Sequence, residues 1–190
     1  NNGSKFGEEK FILSFFDKEY KGKFLDIGCF HPTRHNNTYQ MYKNGWNGIN
    51  IDLNPLTIDL FNFARKKDIN INAAISDNEE NKTLYFLDEL NTQNTLESNH
   101  LSFLKNHHNI KEEEISKKKI RTRRLDKILD NYNFNDIDFM NIDVEGHELN
   151  ILNSIDFFKY KVKFICIEMI DHNNHAKVIN EKLNAILERN

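Results

Sequence analysis

Apolar and polar positions alternate along this chain in two rhythms. Short runs that are almost wholly apolar, bounded by turn residues, read as strands buried on both faces. Stretches with apolar residues three or four apart read as amphipathic helices. Glu8 to Lys18 is of the second kind, with Phe11, Ile12, Phe15 and Phe16 on one side. Lys23 to Cys29 is of the first kind and predicts a central strand. A short helix from Thr38 ends at Asn44-Gly45, where the glycine suits a left-handed cap. "NGINIDLNP" supplies the second strand, and Pro55 opens a helix through Leu60, Phe61 and Ala64. Ile71 to Ser76 reads as the third strand.

Asp77 to Arg124 is less regular. "TLYFLDE" and "KKIRTRRL" have strand character, with a helix expected near Leu101 to His107. Asp126 is placed to cap a helix holding Leu125, Ile128, Leu129 and Tyr132. "IDFMNIDVE" is the fourth core strand, followed by a helix from about Gly146 with Leu149, Leu152 and Ile155. "VKFICIEM" is the fifth, and His175 to Arg189 a closing helix with Ile179, Leu183 and Ile186. Alternating strands and helices predict a doubly wound α/β fold on a mainly parallel sheet. The expectation is a single domain over residues 1–190, with a decorating insertion at about 77–124.

Composition changes this picture only by exclusion. The formal charge of -3 argues against a general nucleic-acid binder, which should be clearly basic. No run of 18 apolar residues occurs, so no transmembrane segment is expected. Cys29 and Cys166 lie inside apolar runs, where free cysteine behaves as a small hydrophobe. A reducing cytoplasm is the expected compartment.

Ligands of open parallel sheets bind beyond the carboxyl ends of the strands. Those ends carry Gly28 to His31, Asp52, Ser76-Asp77, Asp143 to His147, and Glu168. Asp52, 24 residues after Gly28, is where a carboxylate accepts the ribose hydroxyls of an adenosine. Asp26, inside the strand, either orients the loop or meets a cofactor amine. A dinucleotide pyrophosphate needs a glycine-rich loop of bare amides. Here the loop has Gly28 alone, followed by Cys29, Phe30 and His31. NAD or FAD is therefore disfavoured, and S-adenosylmethionine, which has a ribose and adenine but no phosphate, fits better.

The chain also resembles the FkbM-type S-adenosylmethionine-dependent methyltransferases. The likeness runs through "SKFGEEKFILSFF", "FLDIGCFHPTRHNNTY", "YKNGWNGINIDLNP", "NINAAISD", "RRLDKIL" and "IDFMNIDVEGHELNILNSI". It spans Ser4 to about Met169, and "IDVEGHE" is its most specific piece. It implies a class I methyltransferase, Rossmann-like fold, with Gly7, Glu8, Asp26, Gly28, Asp52, Asp77 and Asp143 around the cofactor. It also implies methylation of a sugar hydroxyl, on a nucleotide-sugar or glycan acceptor in surface polysaccharide or capsule biosynthesis. Asn141 stands where family members often have Lys, and Asn36 where serine is frequent. No closing hairpin follows the fifth strand, so a truncated chain or a partner-covered sheet edge is expected.

Methyl transfer to oxygen needs mainly alignment, with a general base to take the hydroxyl proton. His31, His147 and Glu168 are the catalytic candidates. Asn37, Arg121 and Arg123 are the substrate-binding candidates, the last two in a basic run, Lys117 to Arg124, suited to an anionic acceptor. Asp143, Glu145 and Glu168, with His147, are candidate ligands for a divalent cation. Trp46 is either a sugar-stacking platform or packing. Competing readings are a non-catalytic nucleotide-binding module and a short NAD-dependent enzyme.

Overall fold

The computed structural model describes residues 3–87, 94–98, 105, 110–169 and 175–188. Two compact units divide the chain. The first comprises Asn1–Ala73, Asn133–Asp143 and Lys159–Ile167, and the second Ala74–Tyr132, Val144–Phe158 and Glu168–Asn190.

The first unit is built on five parallel strands, β1 Lys23–Ile27, β2 Asn47–Asp52, β3 Ile69–Asn72, β7 Asp136–Ile142 and β8 Lys161–Ile167. Their order is β3-β2-β1-β7-β8. This is the expected doubly wound α/β sheet. Phe24, Leu25, Ile27, Ile49, Ile51, Phe139, Met140 and Ile142 are buried, as strands covered on both faces require. Helices α1 Glu8–Leu13, α2 Tyr39–Lys43 and α3 Pro55–Ala64 belong to this unit. Asn54 caps α3 by accepting the Leu56 N–H at 2.9 Å, one residue before the Pro that opens the helix. α2 ends at Gly45, whose φ of 88° is the left-handed cap expected there.

Two expectations need correction in this unit. The first helix stops at Leu13, because Phe15 and Phe16 donate to Ile12 and Leu13, three residues back, and the chain unwinds into turns. Phe11 and Phe15 are left exposed, while Ile12 is buried in the core with Phe24, Met41, Trp46 and Phe139, and Leu13 and Phe16 pack against that cluster. The predicted strand over Ile71 to Ser76 is two strands, β3 and the two-residue β4 Ala74–Ile75, which pair in different sheets.

The second unit has its own three-stranded sheet, ordered β4-β6-β5, with β5 Asn81–Phe86 antiparallel and β4 parallel to β6 Ser116–Arg123. Its helices are α4 Leu125–Asn131, α5 Glu148–Asn153 and α6 His175–Leu187. The residue capping α4 is Arg124, not Asp126, whose carboxylate instead receives the Arg124 guanidinium at 2.7 Å. Apart from Lys105, the helix expected at 101–107 falls outside the described residues. β8 is an outer strand of its sheet, with no closing hairpin beside it among the described residues.

Candidate functional site

The loop after β1 turns sharply at its single glycine. Gly28 has φ 78°, and Phe30, two residues on, has φ 53°. A positive φ costs a non-glycine residue of order 1 kcal/mol or more, so something must hold Phe30 there. Asp52 does, accepting the Phe30 N–H on Oδ2 at 3.0 Å and the Asn54 N–H on Oδ1 at 2.8 Å. Burial pushes the Asp52 carboxyl up to about 6, although both amides pull the other way. Asp52 therefore ties the first loop to the second strand end, and it remains half-buried.

Asp26 is wholly enclosed. Its Oδ1 accepts Asn141 Nδ2 at 2.9 Å, and its Oδ2 accepts Asn36 Nδ2 at 3.0 Å and Thr38 Oγ1 at 2.8 Å. Burial still raises this carboxyl above its ordinary value, against the attraction of Arg65 and these donors. Asn36 and Asn141 are the two side-chain amides that donate to this carboxylate. Both are structural here, for Asn141 Oδ1 also accepts Asn37 Nδ2 at 2.9 Å. Asn37 is thereby aimed along the carboxyl ends of β1, β7 and β8, 3.9 Å from Cys166 Sγ. Burial pushes the Cys166 thiol up to about 11, and Glu8, Asp143 and Asp26 add to the shift in that order. Glu8 sits beside Gly7, whose φ of 93° starts α1.

His31 is half-buried, and burial lowers it from the ordinary histidine value, helped by Arg34 and His35. Its Nδ1 accepts the backbone N–H groups of Thr33 at 3.1 Å and Arg34 at 3.2 Å. Two amide hydrogens aimed at Nδ1 place the lone pair there, so the lone pair is spent on the turn. Trp46 is packing, buried edge-on against Phe16 with ring centroids 4.9 Å apart.

In the second unit, "VEGHE" makes a tight turn into α5. Glu145 has φ 54° and Gly146 φ 98°, where glycine is the residue of least strain. Glu148, fully buried, folds back so that Oε1 accepts the N–H of Val144 at 3.2 Å and of Gly146 at 3.1 Å. His147 points inward, only 2 % exposed. Its Nδ1 lies 2.6 Å from Glu97 Oε1 and its Nε2 3.0 Å from Ser76 Oγ. Ser76 Oγ donates to Asp77 Oδ1 at 2.9 Å, and Asn150 Nδ2 donates to the same oxygen at 3.1 Å. Burial works to raise Asp77, but these donors and Lys82 hold it below the ordinary carboxylate value.

Arg121 is exposed and Arg123 half-buried on β6. Of the candidate cation ligands, Asp143 closes the β7 segment of the first unit, while Glu145 and Glu168 belong to the second. Sequence reasoning missed Arg65, Thr95 and Glu97. Arg65, 1 % exposed, donates to Asp68, Asn36 and Thr38 and lies against the rings of Phe24, Tyr42 and Phe61. Its place at the end of α3, in the basic string "ARKK", reads as solvated charge, and nothing local marks it as buried. Thr95 and Glu97 sit in a polar stretch with no pattern to single them out.

Compared with known proteins, the chain matches the model of the methyltransferase FkbM domain over residues 26–190. It matches no curated protein and no solved structure.

Proposed function

The chain belongs to the FkbM methyltransferase family, and from that premise we propose that it is an S-adenosylmethionine-dependent O-methyltransferase acting on a sugar or glycan-precursor hydroxyl. The observation that carries the cofactor reading is the one-glycine loop after β1, whose Phe30 amide is already given to Asp52 and so is not bare for a pyrophosphate.

When bound, S-adenosylmethionine supplies a methyl group already activated on sulfur. Asp52 would hold the ribose, and Asp143 and Glu8 the charged methionine end. What remains for the chain is to orient the acceptor oxygen, and alignment of this kind contributes on the order of 7–11 kcal/mol. The lone pair of His31 is capped by Thr33 and Arg34, and both nitrogens of His147 have partners. We therefore read the reaction as driven by positioning, with Asn37, held by Asn141, orienting the acceptor oxygen. The two cysteines are unpaired, which supports a reducing compartment such as the cytoplasm.

Equilibrium binding separates the readings. Labelled S-adenosylmethionine should bind and NAD should not. Saturable NAD binding without S-adenosylmethionine binding would overturn the proposal. The acceptor class is tested by mass spectrometry of surface glycans with and without the gene, where one methyl group should be missing.

A further inference from the structure

The three helices of the first unit form one layer. Ile12 of α1 and Met41 of α2 share a buried cluster with Phe24 of β1. The Arg65 guanidinium lies over the rings of Phe24, of Tyr42 on α2 and of Phe61 on α3. All three helices therefore cover the same face of the sheet, as right-handed crossovers from β1 through β2 to β3 require. The inner side of this layer is buried at Ile12, Met41, Ile58 and Phe61. An outer side that faces water should then be polar.

It is not. Phe6 and Phe63 are 81 and 80 % exposed, and Phe11 and Phe15 are 66 and 55 % exposed. Phe11 and Phe15 meet edge to face with ring centroids 5.1 Å apart, so they present one surface. Leu56 and Leu60 are exposed as well. With Phe63 they stand at i, i+4 and i+7 of α3, an apolar stripe turned away from the buried one at Ile58 and Phe61.

Charge on this layer departs from the rest of the chain. Lys5, Lys10, Lys18 and Lys21 are exposed on α1 and its flanking turns. Lys43 is exposed at the end of α2, and Lys66 and Lys67 just past α3. The exposed acids there are Asp17, Glu19 and Asp59, because Glu9 is buried and Glu8 folds back to accept the Phe6 N–H at 3.0 Å. Seven cations against three anions make a basic face on a chain of net charge -3.

Lysine interleaved with phenylalanine and leucine is the composition of a surface that lies in a membrane interface. Protein–protein interfaces are depleted in lysine and anchored by Trp, Tyr and Arg. Area points the same way. At about 150–250 Å² for a whole aromatic side chain, the exposed parts of the four rings offer roughly 400–700 Å². That is below the roughly 800 Å² per partner of a stable protein interface, and it is split between α1 and α3. Lipid headgroups accept such separate anchors, since each side chain inserts by itself. Among the described residues no helix is long and apolar enough to cross a bilayer, so the contact is with its surface.

We propose that the outer face of the α1–α2–α3 layer docks on an anionic lipid bilayer. The exposed phenylalanines, Leu56 and Leu60 enter the headgroup region, and the lysines meet lipid phosphates. The proposal does not depend on the methyl-transfer reading.

The test is sedimentation of the full chain with vesicles of phosphatidylcholine, alone or mixed with phosphatidylglycerol, at low and high salt. Wild type should bind the mixed vesicles, bind the neutral ones far more weakly, and lose affinity as salt rises. Phe11→Ser with Phe63→Ser should weaken binding at least about 10-fold. Lys66→Gln with Lys67→Gln should weaken it about 30-fold at low salt and less at high salt. All four side chains are exposed, so both variants should melt with wild type. Absence of wild-type binding to the mixed vesicles overturns the proposal. Binding that survives both double changes also overturns it, and its loss in Arg121→Glu with Arg123→Glu would move the contact to β6. Dimerisation that Phe11→Ser with Phe63→Ser abolishes, without vesicle binding, would make the layer a protein interface instead.

Discussion

Asp52 shows how one residue serves fold and ligand at once. Its carboxyl stands at about 6 in the fold against an ordinary 3.8, because burial disfavours the charge. A raised acid stabilises the fold fully below its unfolded value and loses that contribution as pH climbs through the folded one. Between about pH 4 and 6 the chain should therefore lose stability from this group, at most about 1.4 kcal/mol per pH unit. Thermal melts should show wild type falling relative to Asp52→Asn across that window. Cofactor affinity should move oppositely and rise above pH 6, since the ribose hydroxyls need the ionised acceptor. An affinity that is flat from pH 5 to 7 would remove Asp52 from the site. His31 makes a separate forecast. With its lone pair holding the 31–34 turn, His31→Gln should change kcat by less than about 10-fold, and kcat should show no histidine-like ionisation. A loss of about 10²–10⁴-fold would make it the base after all.

At the scale of elements, β6 is the least ordinary piece. Lys117, Lys119, Arg121 and Arg123 fall on alternate positions and so share one face of the β5–β6 ribbon, roughly 6.8 Å apart. Lys117 approaches Glu112 and the ring of Tyr85, but among the described residues Arg121 and Arg123 have no ion-pair partner. A row of cations in a chain of net charge -3 is a local exception that suits a phosphorylated or nucleotide-linked sugar. Charge reversal by Arg121→Glu with Arg123→Glu should raise the KM of an anionic acceptor and flatten its salt dependence. Cofactor affinity should not move. Steady-state kinetics at two ionic strengths decide it, and unchanged constants would reduce the strand to a solvated face.

For the whole molecule, the two compact units are interleaved in sequence. The backbone passes from one to the other five times, at 73/74, 132/133, 143/144, 158/159 and 167/168. Neither unit is a continuous stretch able to fold ahead of the other. We expect one cooperative calorimetric transition, with equal van't Hoff and calorimetric enthalpies, in keeping with a single domain. Two resolved transitions would make the units separate domains.

What the sequence alone determined is the sheet and the carboxylates at its ends. Runs such as "FLDI" and "FMNI" place apolar residues on both faces around a single polar one, which suits a parallel strand covered on both sides. Turn chemistry was equally local: Asn54-Pro55 opens α3, and Gly45 closes α2. The family likeness was legible because its motifs are strand ends and turns, which are short in sequence. Tertiary structure decided the partners. Asp26 reads from the sequence as either a loop anchor or a cofactor contact, and the partners around it, Asn36, Thr38 and Asn141, lie 10, 12 and 115 residues away. His31 and His147 look alike as candidate bases, yet one caps its own turn and the other is buried between Glu97 and Ser76. Arg65 reads as surface charge until three rings and Asp68 enclose it. Helical and strand periods are set by neighbours along the chain, so they are written in the sequence. Burial and hydrogen-bond partners of single polar side chains are set by residues from other elements, and those meet only when the sheet closes.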